Sequence, residues 1–134
     1  MICFDTDVLS VLLLRVPPAG VVRRLALCPV EEQCTTAVTV AELAYGAAKR
    51  GSAGLDARVR ELLQSALRVV PFDNRAARVY GPLRAQLERE GRRLEEADLQ
   101  IASIALARDL TLVTGNVRHF ARVPGLRFED WLAA

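Results

Sequence analysis

An α/β domain built on a mainly parallel sheet is the fold class this sequence predicts, and three observations carry it. Short apolar runs with strand character alternate with longer stretches of helical periodicity. Such alternation gives parallel strands joined by helical crossovers, which are right-handed almost without exception. The 134 residues suffice for one domain with a real core, and no internal repeat, low-complexity tract or linker divides them.

The elements follow in order. Met1-Ile2-Cys3-Phe4 is an apolar run stopped by Asp5-Thr6-Asp7, which reads as a buried strand with polar residues at its carboxyl end. A helix over residues 8–14 comes next, ended by Arg15 and the Pro17-Pro18 pair. A second helix spans 19–27, a loop 29–33, and a second strand of β-branched and small residues 34–38. Thr39 opens a helix reaching residue 49, with Glu42 at capping-box spacing. After the Gly51-Ser52-Ala53-Gly54 break, Leu55, Val59, Leu62, Leu63, Ala66 and Leu67 share one face of a helix over 55–67. A third strand covers 68–72. Asn74 then caps a helix to residue 90, with a kink or break expected at Gly81-Pro82. A basic loop over 91–94 leads to a helix over 95–108 whose apolar side holds Ile101, Ala102, Ile104 and Ala105. Residues 110–114 form a strand ending at Gly115-Asn116, and a last short strand lies near 126–128.

Composition excludes several classes. No apolar run approaches the roughly 20 residues of a membrane span, and Asp5 and Asp7 stand where a signal peptide carries basic residues. A cytoplasmic location is the resulting expectation. Cys3, Cys28 and Cys34 are odd in number and lack CxxC spacing, and His119 is the single histidine. A disulfide framework or zinc site is therefore not expected, and the thiols read as reduced, structural residues. The formal charge of +2 hides an asymmetry. If Asp5, Asp7, Glu42 and Asp98 share a cleft, 12 of the 16 acids are left to face 18 basic residues elsewhere. That surface would carry about +6, the footprint of a nucleic-acid partner. The cations are arginines apart from Lys49, a skew that suits phosphate but that a GC-rich coding bias also gives.

In open parallel sheets ligands bind beyond the carboxyl ends of the strands. Asp5 and Asn116 directly follow predicted strands and Glu42 lies a few residues beyond another, so all three converge on one edge. Asp98 begins the apolar face of its helix. Two carboxylates about 4 Å apart repel by roughly 4 kcal/mol at intermediate dielectric, so such a cluster raises its own pKa values or takes up a cation. Oxygen-only donors select a hard ion, Mg2+ or Mn2+, which in phosphodiester cleavage activates water and neutralises phosphate charge. Asp5 and Asp98 are the preferred direct ligands. Glu42 is a water-mediated ligand, a general base or only the distal half of its capping box. Asp98 also has a structural reading, complementing a helix dipole with Glu95 and Glu96. Asp7 is read as a helix cap before it is read as a ligand.

Four ordered motifs add a resemblance. Phe4-Asp5-Thr6-Asp7-Val8-Leu9, Thr39-Val40-Ala41-Glu42-Leu43 with Gly46, Ala97-Asp98-Leu99-Gln100-Ile101-Ala102, and Leu112-Val113-Thr114-Gly115-Asn116 with Phe120 together resemble the PIN-domain ribonucleases. Within these the match is to the VapC-type toxins of toxin–antitoxin pairs, and it spans essentially the whole chain, closing on Arg118-His119-Phe120, Val123-Pro124-Gly125-Leu126 and Glu129-Asp130-Trp131. The resemblance implies a single PIN-like three-layer α/β/α sandwich over residues 1–134. It implies Mg2+-dependent cleavage of RNA, with tRNA a frequent substrate class and Mn2+ a plausible substitute. It places Asp5, Glu42 and Asp98 on the family's acidic positions, with Asp5 and Asp98 as metal ligands. The partners it implies are a VapB-type antitoxin, inserting a segment into the cleft, and a second copy of the toxin. One departure stands out: Asn116 occupies the motif in which many relatives carry a fourth acid. Its amide can still orient a water, and one well-held ion is expected rather than two. Arg118 and His119 are candidates for RNA phosphate contact. The alternative reading is a catalytically silent PIN scaffold that binds RNA or a protein; a phosphatase or DNA nuclease using the same acids is a third.

Overall fold

The computed structural model describes residues 1–65 and 67–133. Its sheet has five strands in the order β3-β2-β1-β4-β5, every pairing parallel. They are β1 (Ile2–Phe4), β2 (Gln33–Thr36), β3 (Arg68–Val70), β4 (Thr111–Val113) and β5 (Phe128–Glu129). The helices are α1 (Thr6–Leu12), α2 (Ala19–Ala26), α3 (Ala37–Arg50), α4 (Ala53–Leu63), α5 (Asn74–Arg89), α6 (Glu96–Ala107) and α7 (Val117–Phe120).

Alternation along the strands divides the core into two layers. Cys3, Cys34, Val70 and Leu112 face α5, α6 and the segment through Phe120, Val123 and Leu126. Phe4 and Val113 face the opposite way, toward Val8 and Leu9 of α1, Val21 of α2, Leu43 and Ala47 of α3, and Val59 of α4. Trp131 closes this second layer, its ring edge-on to Phe4 with centroids 5.5 Å apart. The predicted α/β/α sandwich is thus the observed one. The chain steps outward from β1 to β2 and β3 through one helical layer, then returns past β1 to β4 and β5 through the other. The order reverses at β1, which makes its carboxyl end the natural binding crevice of the sheet.

Several local expectations are corrected. Helix α1 starts at Thr6 rather than residue 8, because Asp5 itself is the N-cap, accepting from Thr6 N at 2.8 Å. Asp7 is therefore inside the first turn and is not a cap. Helix α3 starts at Ala37, capped by Thr36, whose hydroxyl accepts from Thr39 N at 3.1 Å. Glu42 lies six residues past that cap and cannot close a capping box. Asp73, not Asn74, caps α5 through Ala76 N. Helix α5 also runs unbroken through Pro82. Gly81, Pro82 and Arg78 are exposed, so the carbonyl that the proline leaves unpaired is available to water. Helix α4 ends at Leu63, so Leu67 is not part of it, and Ala66 lies outside the described residues. The four-residue helix α7 and a 3₁₀ turn at Val30–Glu32 were not foreseen.

Candidate active site

Asp5, Asp7, Glu42, Asp98 and Asn116 line one cavity of about 420 Å³, together with Thr6 and Gly115. The four acids and Asn116 singled out in the sequence are therefore brought together, from the ends of β1 and β4 and the early turns of α1, α3 and α6. Arg118 is not among the lining residues; it is exposed on α7, one residue before His119.

Asp5 is the most constrained of these groups, 5% exposed at the end of the central strand. Its backbone N–H donates to Val113 O at 2.9 Å, which locks the chain as it leaves β1. One carboxylate oxygen takes the cap bond from Thr6 N, and the other accepts from Thr114 Oγ1 at 2.7 Å. Thr114 in turn accepts from Asn116 N at 2.9 Å, so one hydroxyl fixes both the acid and the loop opposite it. Burial pushes the Asp5 carboxyl up to about 6, with the charges of Asp7 and Asp98 adding to it, while the hydrogen bonds from Thr114 and Thr6 pull it down.

Glu42 is exposed at the cavity rim and held by Thr6, whose hydroxyl donates to Glu42 Oε1 at 2.6 Å. Thr6 Oγ1 also lies 3.2 Å from Thr39 Oγ1. The single Thr6 hydrogen is committed to the carboxylate, so Thr39 is the donor in that second contact. Behind them Thr36 Oγ1 lies 3.3 Å from Thr39 Oγ1. Three threonines from α1 and the start of α3 thus align the glutamate, leaving Oε2 without a hydrogen-bond partner among the described residues.

Asp98 is half-buried in the first turn of α6. Burial raises its pKa, the charges of Glu42 and Glu95 raise it further, and His119 lowers it. Its Oδ2 accepts from Asn116 Nδ2 at 3.3 Å and lies 3.6 Å from His119 Nδ1. Asp7 Oδ2 accepts from Gly115 N at 2.9 Å, while its Oδ1 is buried without a partner among the described residues. Burial raises the Asp7 carboxyl, against the pull of the Gly115 and Val8 N–H groups.

Sequence reasoning missed Thr114, Thr39 and Gly115 as members of the site. Thr114 was visible only as a polar residue closing an apolar strand. The need for glycine at 115 is steric: a Cβ there would sit 2.6 Å from Leu132 Cδ1 and 3.0 Å from Asp7 Oδ2.

Among the described residues no three acid, histidine or cysteine side chains close round a single point. The donor set still suits a hard divalent cation. It consists of oxygens only, and the carboxyls of Asp5 and Asp98 are raised by burial and by the charges of neighbouring acids, which a cation would offset. Mg2+ keeps several waters and commonly takes just one or two carboxylates, so an open rim with one buried and one half-buried acid matches it better than a closed cage.

The PIN domain family matches residues 2–126. A tRNA(fMet)-specific endonuclease VapC of Shigella flexneri is 39% identical over 127 residues, 95% of each chain. A protein of the same name from Salmonella typhimurium is 41% identical over 98 residues, 73% of this chain and 74% of the relative. Among solved structures, VapBC2 of Rickettsia felis bound to a promoter DNA fragment superposes with TM-score 0.87 at 30% identity, over 98% of this chain and 99% of the other. FitAcB of Neisseria gonorrhoeae does so with TM-score 0.86 at 31% identity, covering 99% and 100%. The family match over most of the chain, the identity to these relatives and the shared fold lead to one conclusion: this chain belongs to the PIN-domain family of divalent-metal-dependent nucleases, within its VapC group.

Proposed function

We propose that the chain is the toxin of a type II toxin–antitoxin pair, a single PIN domain over residues 1–134 that hydrolyses RNA phosphodiester bonds with Mg2+, Mn2+ serving as a substitute. Transfer RNA is the substrate class, in line with the tRNA(fMet)-specific names of its Shigella and Salmonella relatives. One observation carries the reading: Asp5, Glu42, Asp98 and Asn116, scattered over more than a hundred residues, line the same cavity.

The cation would be held by Asp5 and Asp98, and when bound it supplies positive charge to the phosphate and makes water more acidic. The protein's own groups do the rest. Glu42 takes the proton of the attacking water at Oε2, since Thr6 already occupies Oε1. The water oxygen forms its bond to phosphorus as one ester P–O bond breaks, and the departing oxygen takes a proton from solvent water. Asp5 is held still by Thr114 and Thr6, and Asn116 offers an uncharged amide at the same edge. Arg118, exposed on α7 two residues past Asn116, is assigned to the phosphate of a neighbouring nucleotide.

The partner is a VapB-type antitoxin, as in the VapBC complexes of similar fold. A groove of about 610 Å³ opens from the acidic cavity, sharing Thr6 and Glu42 with it. Its floor of Leu13, Leu43, Ala47 and Val59 and its rim of Arg15 and Arg50 suit an amphipathic antitoxin segment with acidic flanks. The toxin acts as a homodimer and, with antitoxin, as a hetero-oligomer. No described helix is long and apolar enough to cross a membrane, and the cytoplasm is the proposed location.

Purified protein should cleave RNA with Mg2+ or Mn2+, and Asp5→Asn and Asp98→Asn should each abolish cleavage while retaining RNA binding. Cleavage by both variants at the wild-type rate would overturn the assignment. RNA binding by the wild type without turnover at any metal concentration would favour a silent scaffold. Competition among RNA, DNA and a small phosphoester fixes the substrate class, and end-sequencing of total RNA after brief induction identifies the RNA.

A further inference from the structure

The mechanism leaves a histidine beside the cavity unused. His119, the single histidine of the chain, lies one turn past Asn116 on α7. Its Nδ1 is 2.9 Å from Asn116 Nδ2. An amide nitrogen has hydrogens to give and no lone pair to offer, so in this contact Nδ1 of the neutral ring is the acceptor, with the hydrogen on Nε2. The same amide nitrogen reaches Asp98 Oδ2 at 3.3 Å. Both amide hydrogens are therefore committed, one to the ring and one to the carboxylate.

That double commitment selects an orientation. With the amide turned over, its carbonyl oxygen would stand 3.3 Å from a carboxylate oxygen, and it could bond the ring only if the imidazole hydrogen moved to Nδ1. The Asp98 contact alone is long for an N–H···O bond and holds the amide weakly. The shorter bond is the one to His119. In the observed orientation Oδ1 is the amide atom with no hydrogen-bond partner among the described residues, on a side chain that lines the cavity.

We propose that His119 is a positioning residue that locks the Asn116 amide, so that its carbonyl oxygen is presented to the cavity as an uncharged oxygen donor where this chain lacks a fourth acid. The inference rests on the reading of the cavity as a metal-dependent cleavage site. It concerns the direction of one amide and requires no change in the charge of the ring.

Two near-isosteres separate position from polarity. Asparagine at 119 keeps an acceptor close to the place of Nδ1, whereas glutamine carries it farther out, near the place of Nε2. Binding of Mn2+ alone, followed by titration calorimetry or Mn2+ spin resonance, is the primary readout, with RNA cleavage second and thermal melting without metal as the check on folding. His119→Asn should bind Mn2+ within about twofold of wild type, and His119→Gln and His119→Ala about 10-fold more weakly, as outer-shell partners of metal sites generally do. All three should melt as the wild type does. In an Asn116→Ala background, His119→Ala should add nothing, because the histidine acts through the amide. Wild-type Mn2+ affinity in both His119→Gln and His119→Ala, or an undiminished effect of His119→Ala in the Asn116→Ala background, would overturn the proposal. Failure of the underlying reading looks different: cleavage would then survive Asp98→Asn, whatever stands at 119.

Discussion

Thr114 donates its hydroxyl hydrogen to Asp5 Oδ2 at 2.7 Å, bridging the ends of two neighbouring parallel strands across 109 residues of sequence. Valine has the same shape without the donor. Thr114→Val should cost about 2 kcal/mol, typical of a lost hydrogen bond to a charged group, read by chemical denaturation. It also removes the strongest influence holding the Asp5 carboxyl down, so the acidic limb of the cleavage profile should move to higher pH.

Asp5 itself should make the metal-free fold less stable as the solution becomes more alkaline. Its folded pKa of about 6 lies above the ordinary value of 3.8, so between these the folded chain holds more protons than the unfolded one. The stabilisation is complete below about pH 4 and is lost as pH rises through about 6, on the order of 3 kcal/mol in all. Asp5→Asn should therefore be the more stable protein at pH 7.5 without metal, though inactive, and the difference should close toward pH 4. A variant less stable than wild type at pH 7.5 would contradict the shift. Added Mg2+ should reverse the ranking by stabilising only the wild type.

At Gly115 the demand is for space. A methyl group would meet Leu132 Cδ1 and crowd Asp7 Oδ2, the acceptor of the Gly115 N–H bond. Gly115→Ala should lose about 1–2 kcal/mol by overpacking. Leu132→Ala in the same chain should recover part of that loss, and purely additive denaturation energies would show that the two do not press on each other.

Arg118 offers a test of the substrate path. Arg118→Ala should raise KM with kcat unchanged, and the slope of log affinity for RNA against log salt should shrink by about one. An equal fall in kcat would move the residue into the chemistry instead.

How much of this could be seen in the sequence depends on how local each determinant is. Strands β1 and β4 and the acid after β1 were legible, because an apolar run ending in Asp5-Thr6-Asp7 has few other meanings. The starts of α1 and α3 were misread because caps compete. Thr36 and Thr39 stand three apart, and only the sheet, which keeps Thr36 at the end of β2, decides which one turns the chain. That decision freed Glu42 from its structural explanation and strengthened its place in the site. Helix α7 has four residues, too few to show a period. The Thr114 bond to Asp5 and the Gly115 bond to Asp7 depend on two distant strands lying side by side, a relation that no window of sequence contains. His119 was visible as a candidate for contact with substrate, while its bond to Asn116 needed the turn of α7 that carries both.

The place of β1 between β2 and β4 has a consequence for synthesis. A ribosome that has made the first hundred residues holds Asp5, Glu42 and Asp98, yet β4 and the Thr114-to-Asn116 wall of the cavity are still unmade. Asp5 then lacks the hydroxyl that fixes it, and one edge of the innermost strand stays open. Until β4 and the residues after it are made, the growing chain carries no finished cutting site. The site is completed late, by the segment that follows α6.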